Sequence, residues 1–151
     1  MNLEQLGLLG VFIAGAIPWF EAIAVVPAGI LIGLDPVATV IAACAGNIIT
    51  IALFAYGSDQ IRSWFRRRRE AKGKTGDSVR FVKAQQAFDK YGIYGMAALG
   101  PVFVGTQFAA AISVAAGVKP FKSTFLISFA TVIWAVAIAF GMSFLPDFRE
   151  S

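Results

Sequence analysis

One ionisable side chain, Glu21, stands between Pro18 and Pro27 in AIPWFEAIAVVPAG, inside a stretch from Gln5 to Leu34 that holds no other charge. A charge at the middle of a bilayer costs about 2.5 kcal/mol or more, so ionisable residues in such sequence are read first as functional. Removal from water disfavours the charged form of a carboxylate, which suits Glu21 to carry a proton or hold a cation. The structural alternative is that Glu21 caps a broken helix or bonds the backbone of another segment. A second polar group follows Gly100, Pro101 and Gly105 in GPVFVGTQF, where Thr106 and Gln107 interrupt apolar sequence. Gln107 can donate and accept, so it can meet a carboxylate in either protonation state, or simply satisfy freed backbone groups. Asn47, after Gly46, suits an interhelical hydrogen bond worth about 0.6 kcal/mol, with substrate contact as the other reading. Trp19 either lines a cavity or packs.

Other chemistry is excluded by what the chain lacks. It has no histidine and a single cysteine, Cys44, in an apolar run, which removes disulfides, imidazole acid–base catalysis and most transition-metal sites. There is no Gly-x-Ser-x-Gly, no phosphate-binding Walker loop and no pair of carboxylates at catalytic spacing. No enzyme, metal or cofactor is expected.

The elements that must hold these residues follow from hydropathy and charge. Of 151 residues, 58% are hydrophobic and 15% charged, with a mean hydropathy of +0.72, a balance that points to an integral membrane protein. Val37 to Ser58, Tyr91 to Val118 and Ser123 to Pro146 carry no charge, and each reaches the roughly 20 residues a crossing needs. No basic region precedes Leu6, so the N-terminus does not read as a cleaved signal peptide.

Between Asp59 and Lys90 the composition changes. Ten of the 13 basic residues lie there: Arg62, Arg66, Arg67, Arg68, Arg69, Lys72, Lys74, Arg80, Lys83 and Lys90. A short loop so rich in cations belongs on the cytoplasmic side. SDQIRSWFRRRRE reads as an amphipathic interfacial helix, KGKTGDS as a turn, and the stretch from Val79 as a second amphipathic helix. The run Arg66, Arg67, Arg68 and Arg69 is read as a surface for anionic lipid headgroups, not for nucleic acid.

With that loop cytoplasmic, the segments on either side find their topology. Tyr91 to Val118 is interrupted by Gly100-Pro101 and followed by Lys119 and Lys122. If it dips in, turns near Pro101 to Gln107 and returns, both lysines stay with the other cations. Ser123 to Leu145 then crosses once. In the other direction, Val37 to Gly57 crosses, with Asp35-Pro36 at its outer end, where proline suits the first helical turn. Leu6 to Leu34 would be about 43 Å as one helix, too long for one crossing and too short for two, and Pro18 would break it. A re-entrant hairpin with its tip at Pro18 to Glu21 fits both facts.

Each half thus has one plan, a re-entrant hairpin and then a spanning helix, with opposite orientations. Pro18 pairs with Pro101, Ala28-Gly29 with Ala116-Gly117, and Pro36 with Pro120. The predicted fold is an all-α polytopic membrane protein, one domain over 1–151: a first repeat at 1–57, a cytoplasmic basic linker at 58–90 and a second repeat at 91–151. Pro18, Pro27, Gly29, Pro101, Gly105 and Gly117 shape the hairpins. Gly29 and Gly33 also form a GxxxG pattern suited to close helix packing. Inverted repeats of broken helices are the architecture of secondary transporters.

IPWFEAIAVVPAGILIGLDP, with Pro18, Glu21, Pro27 and Gly29, Gly46-Asn47, and GPVFVGTQFAAAISVAAGVKPFKS, with Pro101, Gly105-Thr106, Ala116-Gly117, Lys119 and Lys122, resemble the small multi-drug export protein family within the DedA (VTT-domain) superfamily. The resemblance implies the same fold and a transport role, with lipids and amphipathic drugs as substrate classes and proton dependence. This chain has Ile23 and Gln107 where related sequences often carry arginines, so those bidentate partners for a phosphate headgroup are missing. The expected function is a proton-coupled transporter in the inner or plasma membrane that moves a lipid or amphipathic small molecule through a midplane site carried by Glu21, Gln107, Thr106, Asn47 and Trp19. A passive lipid scramblase and a non-transporting scaffold acting through the basic linker are the alternatives. Expected partners are anionic membrane lipids, the substrate and, for so small a monomer, a second copy in a homodimer.

Overall fold

A computed structural model describes residues 2–18, 20–76 and 78–145 of the chain. These form seven helices and no strand: α1 (Leu3–Ala16), α2 (Ala22–Leu31), α3 (Pro36–Tyr56), α4 (Ser58–Ala71), α5 (Val79–Phe103), α6 (Thr106–Ala115) and α7 (Pro120–Met142). Among them only α3, of 21 residues, and α7, of 23, are long and apolar enough to cross a bilayer. At 1.5 Å per residue they span about 32 and 35 Å, against a hydrocarbon core of about 30 Å. The apolar helices α1, α2 and α6 have 14, 10 and 10 residues and stop short of that span. The second spanning helix begins at Pro120, earlier than the expected Ser123, because proline fits a first turn and the Lys119 carbonyl accepts the Ser123 amide at 3.0 Å.

Helix boundaries follow local chemistry. Asn2 and Gln5 form a reciprocal capping box at the start of α1, with bonds of 2.8 and 3.1 Å. α1 ends at Ala16, and Ile17 turns extended because the residue before proline is pushed out of helical geometry. The first break runs over 17–21, with Trp19 outside the described residues. Two further prolines of the hairpin-shaping set lie within helices. Pro27 lies inside α2 and Pro101 in the last turn of α5. A proline late in an apolar helix is tolerated where neighbouring groups satisfy the freed carbonyl. The second break falls at 104–105, inside the expected turn from Pro101 to Gln107, where the amides of Val104 and Gly105 both return to the Gly100 carbonyl, at 3.1 and 2.8 Å, and Gly105 takes φ 101°. Thr106 and Gln107, expected in the turn, therefore open α6. α5 itself kinks at Gly92, so its charged first part and its apolar second part are separate helical pieces.

The ends of α2 and α6 share local features. α2 and α6 have 10 residues each, and both end in the same six-residue closure. The Gly33 amide reaches Ile30 and the Leu34 amide reaches Gly29; the Gly117 amide reaches Val114 and the Val118 amide reaches Ser113. Gly33 and Gly117 have φ of 93° and 103°, a conformation that favours glycine over any L side chain. The same number of residues then leads to Pro36 and to Pro120. Gly33, not Gly29, is thus the counterpart of Gly117. Among the described residues a methyl on Gly33 would meet nothing within 4 Å, and its positive φ serves the helix end.

Contacts divide the chain into two compact units, residues 1–50 with 129–151, and residues 51–128. In the first, Val11, Val25, Val26, Leu34, Ala43, Cys44 and Ala135 belong to the core. There α1 and α3 touch backbone to backbone: a Cβ on Gly15 would strike Ala43, and one on Gly46 would strike the Phe12 carbonyl and lie 2.9 Å from the Ala16 amide. Gly29 closes against Thr39, whose Cγ2 would lie 2.5 Å from an added Cβ. In the second unit Phe108 of α6, 1% exposed, is the hub. The rings of Phe54, Phe65 and Phe81, from α3, α4 and α5, meet it edge-on with centroids 5.7, 5.7 and 5.2 Å away.

The backbone crossing at Gly46 has no side chain that can yield. Gly46→Ala should cost about 1–3 kcal/mol by overpacking, read as a lower thermal midpoint of the detergent-solubilised protein. Gly10→Ala, with nothing within 4 Å of the new methyl, should be neutral or gain about 0.5–1 kcal/mol in helix propensity.

Candidate functional site

Glu21 occupies the position before the first turn of α2, with extended backbone (φ −55°, ψ 149°). Its carbonyl accepts the amides of Ala24 and Val25 at 2.8 and 3.0 Å, while its carboxylate makes no capping bond to the helix. The side chain is half-buried. The N-terminal end of a helix carries partial positive charge, so α2 supplies a favourable field for a carboxylate there without spending a hydrogen bond on it. Of the two structural roles open to Glu21, capping α2 is not the one observed.

Asn47 lies on α3, fully buried, and its amide Nδ2 donates to the Gly15 carbonyl at 3.3 Å. Gly15 is in the last turn of α1, where carbonyls have no partner further along the helix. The bond therefore caps a helix that ends in apolar sequence, and the Gly46 crossing brings Asn47 within reach. Thr50 donates to the Asn47 carbonyl at 2.9 Å. Glu21 and Asn47 belong to one compact unit.

Thr106 and Gln107 belong to the other unit and are brought together there. Both are 0% exposed, and Thr106 Oγ1 donates to Gln107 Oε1 at 3.1 Å. They open α6 immediately after Gly105, in a chain segment that follows the buried Pro101. Ser123 at the start of α7 donates to the Ala110 carbonyl at 3.2 Å, which ties α7 to α6. Lys122 Nζ sits 5.4 Å from the Tyr94 ring, and Lys90 Nζ sits 5.2 Å from the Tyr91 ring. The chain therefore leaves from Tyr94 and comes back to it after α6.

Two polar groups carried no expectation from the sequence. Thr124 Oγ1 and Ser128 Oγ on α7 are buried and have no hydrogen-bond partner among the described residues. An unpaired hydroxyl in apolar surroundings costs roughly 1–3 kcal/mol, so each is a candidate for a polar ligand atom. Their signal is the helical spacing of Thr124, Ser128 and Thr131 in an otherwise apolar run. Among the described residues, no group of histidine, cysteine, aspartate and glutamate is placed to hold a metal ion.

The arginine run divides. Arg66, Arg67 and Arg68 are exposed, whereas Arg69 is half-buried and its Nε donates to the Gly76 carbonyl at 3.2 Å, closing the turn after α4.

The described residues are all-helical, with two helices long and apolar enough to cross a bilayer and polar groups at breaks in apolar helices, features that suit a helical membrane protein. Residues 21–138 match the family described as "Putative small multi-drug export protein". The chain belongs to that family, whose description is that of an export protein. No curated protein and no solved structure matches it.

If Asn47 acts as the cap on Gly15, Asn47→Ala should lower stability by about 0.6–1.7 kcal/mol in micelles, followed by chemical unfolding. An unchanged midpoint would return Asn47 to the set of substrate contacts.

Proposed function

We propose that the chain is a proton-coupled membrane transporter that moves a lipid or amphipathic small molecule. It is built as two inverted repeats, each a re-entrant hairpin followed by a spanning helix. α1, α2 and α3 make the first, and the apolar part of α5 with α6 and α7 makes the second. The observation that carries this reading is Glu21, a half-buried carboxylate at a helix break in apolar sequence. A group so placed can take up and release a proton as its access to water changes. Thr106 and Gln107 at the second break are the further polar residues the substrate meets.

Three more facts support it. Lys122 lies against Tyr94, the arrangement a hairpin that dips and returns would produce. The matched closures at Gly33 and Gly117 and the equal spacing to Pro36 and Pro120 support a repeat. Family membership supports export.

Glu21→Gln keeps the shape and removes the charge. In proteoliposomes with an imposed pH gradient and an NBD-labelled phospholipid as probe, the variant should lose gradient-driven movement, down to the level of protein-free vesicles. Movement that persists unchanged would remove Glu21 as the carrier, and movement in wild type that ignores the gradient would identify a passive scramblase.

A further inference from the structure

We infer that one flank of α4, formed by Trp64, Arg67 and Arg68, is a docking site for anionic phospholipid headgroups. This goes beyond the transport reading and does not depend on it. α4 sorts its residues into three faces by helical spacing. Ser58, Ile61, Arg62, Phe65 and Arg69 face inward and are buried or half-buried. Phe65 anchors that face, with its ring 5.9 Å from Phe81 and 5.7 Å from Phe108. Asp59, Ser63, Arg66 and Glu70 share a second, mixed-charge flank, on which Arg66 and Glu70 are four residues apart and offset each other. Gln60, Trp64, Arg67, Arg68 and Ala71 share the third, exposed flank, which holds two cations and no acid.

That third flank has the chemistry of the membrane surface. Trp64 is 51% exposed, and the Arg68 guanidinium stacks over its ring at 4.5 Å. The stacking holds the guanidinium beside an indole, a side chain that settles at the boundary between headgroups and acyl chains. The place on the chain agrees. α4 starts one residue after the spanning helix α3, and the hydrogen bonds run through the joint, from the Gly57 amide to Leu53 and from the Ile61 amide to Gly57, both 2.9 Å. The exposed Tyr56 marks the end of α3 with a second interfacial aromatic. A phosphodiester headgroup meets two guanidinium groups and an indole there, a charge complement that a zwitterionic headgroup matches less well. The arginine run is therefore not one uniform surface, because Arg69 is committed to the turn at Gly76 and Arg66 shares a flank with Glu70.

The test uses the full-length chain with Trp19→Phe and Trp134→Phe, which leaves Trp64 as the sole tryptophan. It is reconstituted in phosphatidylcholine containing a small fraction of brominated phosphatidylglycerol or brominated phosphatidylcholine, and quenching of Trp64 is compared. The site predicts stronger quenching by the anionic lipid, a preference of about fivefold per arginine that falls with salt. Arg67→Gln with Arg68→Gln should bring the two lipids to parity, while Arg69→Gln keeps the preference. Equal quenching in the unsubstituted background, or a preference that survives the double arginine replacement, would overturn the site, and the second result would point to an acidic peptide or another partner for these arginines. A second measurement needs no tryptophan changes: phosphatidylglycerol should raise the thermal midpoint of the detergent-solubilised wild type and of Arg69→Gln but not of the double variant. Equal rises in all three would contradict the site.

Discussion

The constraint on which the rest depends is that every backbone amide and carbonyl in apolar surroundings needs a partner. A continuous helix meets it automatically, and a broken one does not. This chain ends two helices and starts two others inside apolar sequence, and it closes each end with local bonds. The Ile17 amide returns to Ala14, the Val104 and Gly105 amides return to Gly100, and Asn47 reaches across to Gly15. The absent side chains of Gly15 and Gly46 let two backbones come close enough for that last bond. Packing, capping and helix breakage are here one arrangement, and Glu21 stands at the break it permits.

The two breaks are built differently. The first runs over 17–21 and carries a carboxylate that its helix leaves uncapped; the second is a tight turn at Val104 and Gly105, followed by buried neutral residues bonded to each other. On the proposed reading the first break holds the charge-carrying step and the second supplies hydrogen bonds that need no change of charge. Beyond each break the chain follows one course: a helix of 10 residues, a glycine with positive φ, a proline and a long apolar helix.

Much of this was legible in the sequence because it is local. The lengths of the uncharged runs, the cations between Asp59 and Lys90, the turn rich in glycine and lysine at 72–78 and the stop at Pro18 each depend on neighbours a few residues away. All-helical structure with two helices able to span followed from them. Proline alone does not fix the exact position of a break: Pro27 and Pro101 sit inside helices, since what a proline does depends on whether tertiary neighbours satisfy the carbonyl it frees. The shared Ala-Gly dipeptide also pairs Gly29 with Gly117, whereas backbone conformation makes Gly33 the counterpart. The cluster of Phe54, Phe65, Phe81 and Phe108 draws one ring from each of four helices and has no local signature. Adjacent arginines have two uses that only the bond from Arg69 to Gly76 reveals.

The proposed architecture makes α2–α3 and α6–α7 copies of one unit in opposite orientations, with Asp35 and Lys119, each just before the proline that opens a long helix, as equivalent positions. In a Cys44→Ala background, single cysteines at these two positions can be exposed to a membrane-impermeant maleimide in right-side-out and inverted vesicles. Labelling of position 35 only from outside and of position 119 only from the cytoplasmic side is the result predicted; labelling of both from the same side would contradict the inverted repeat.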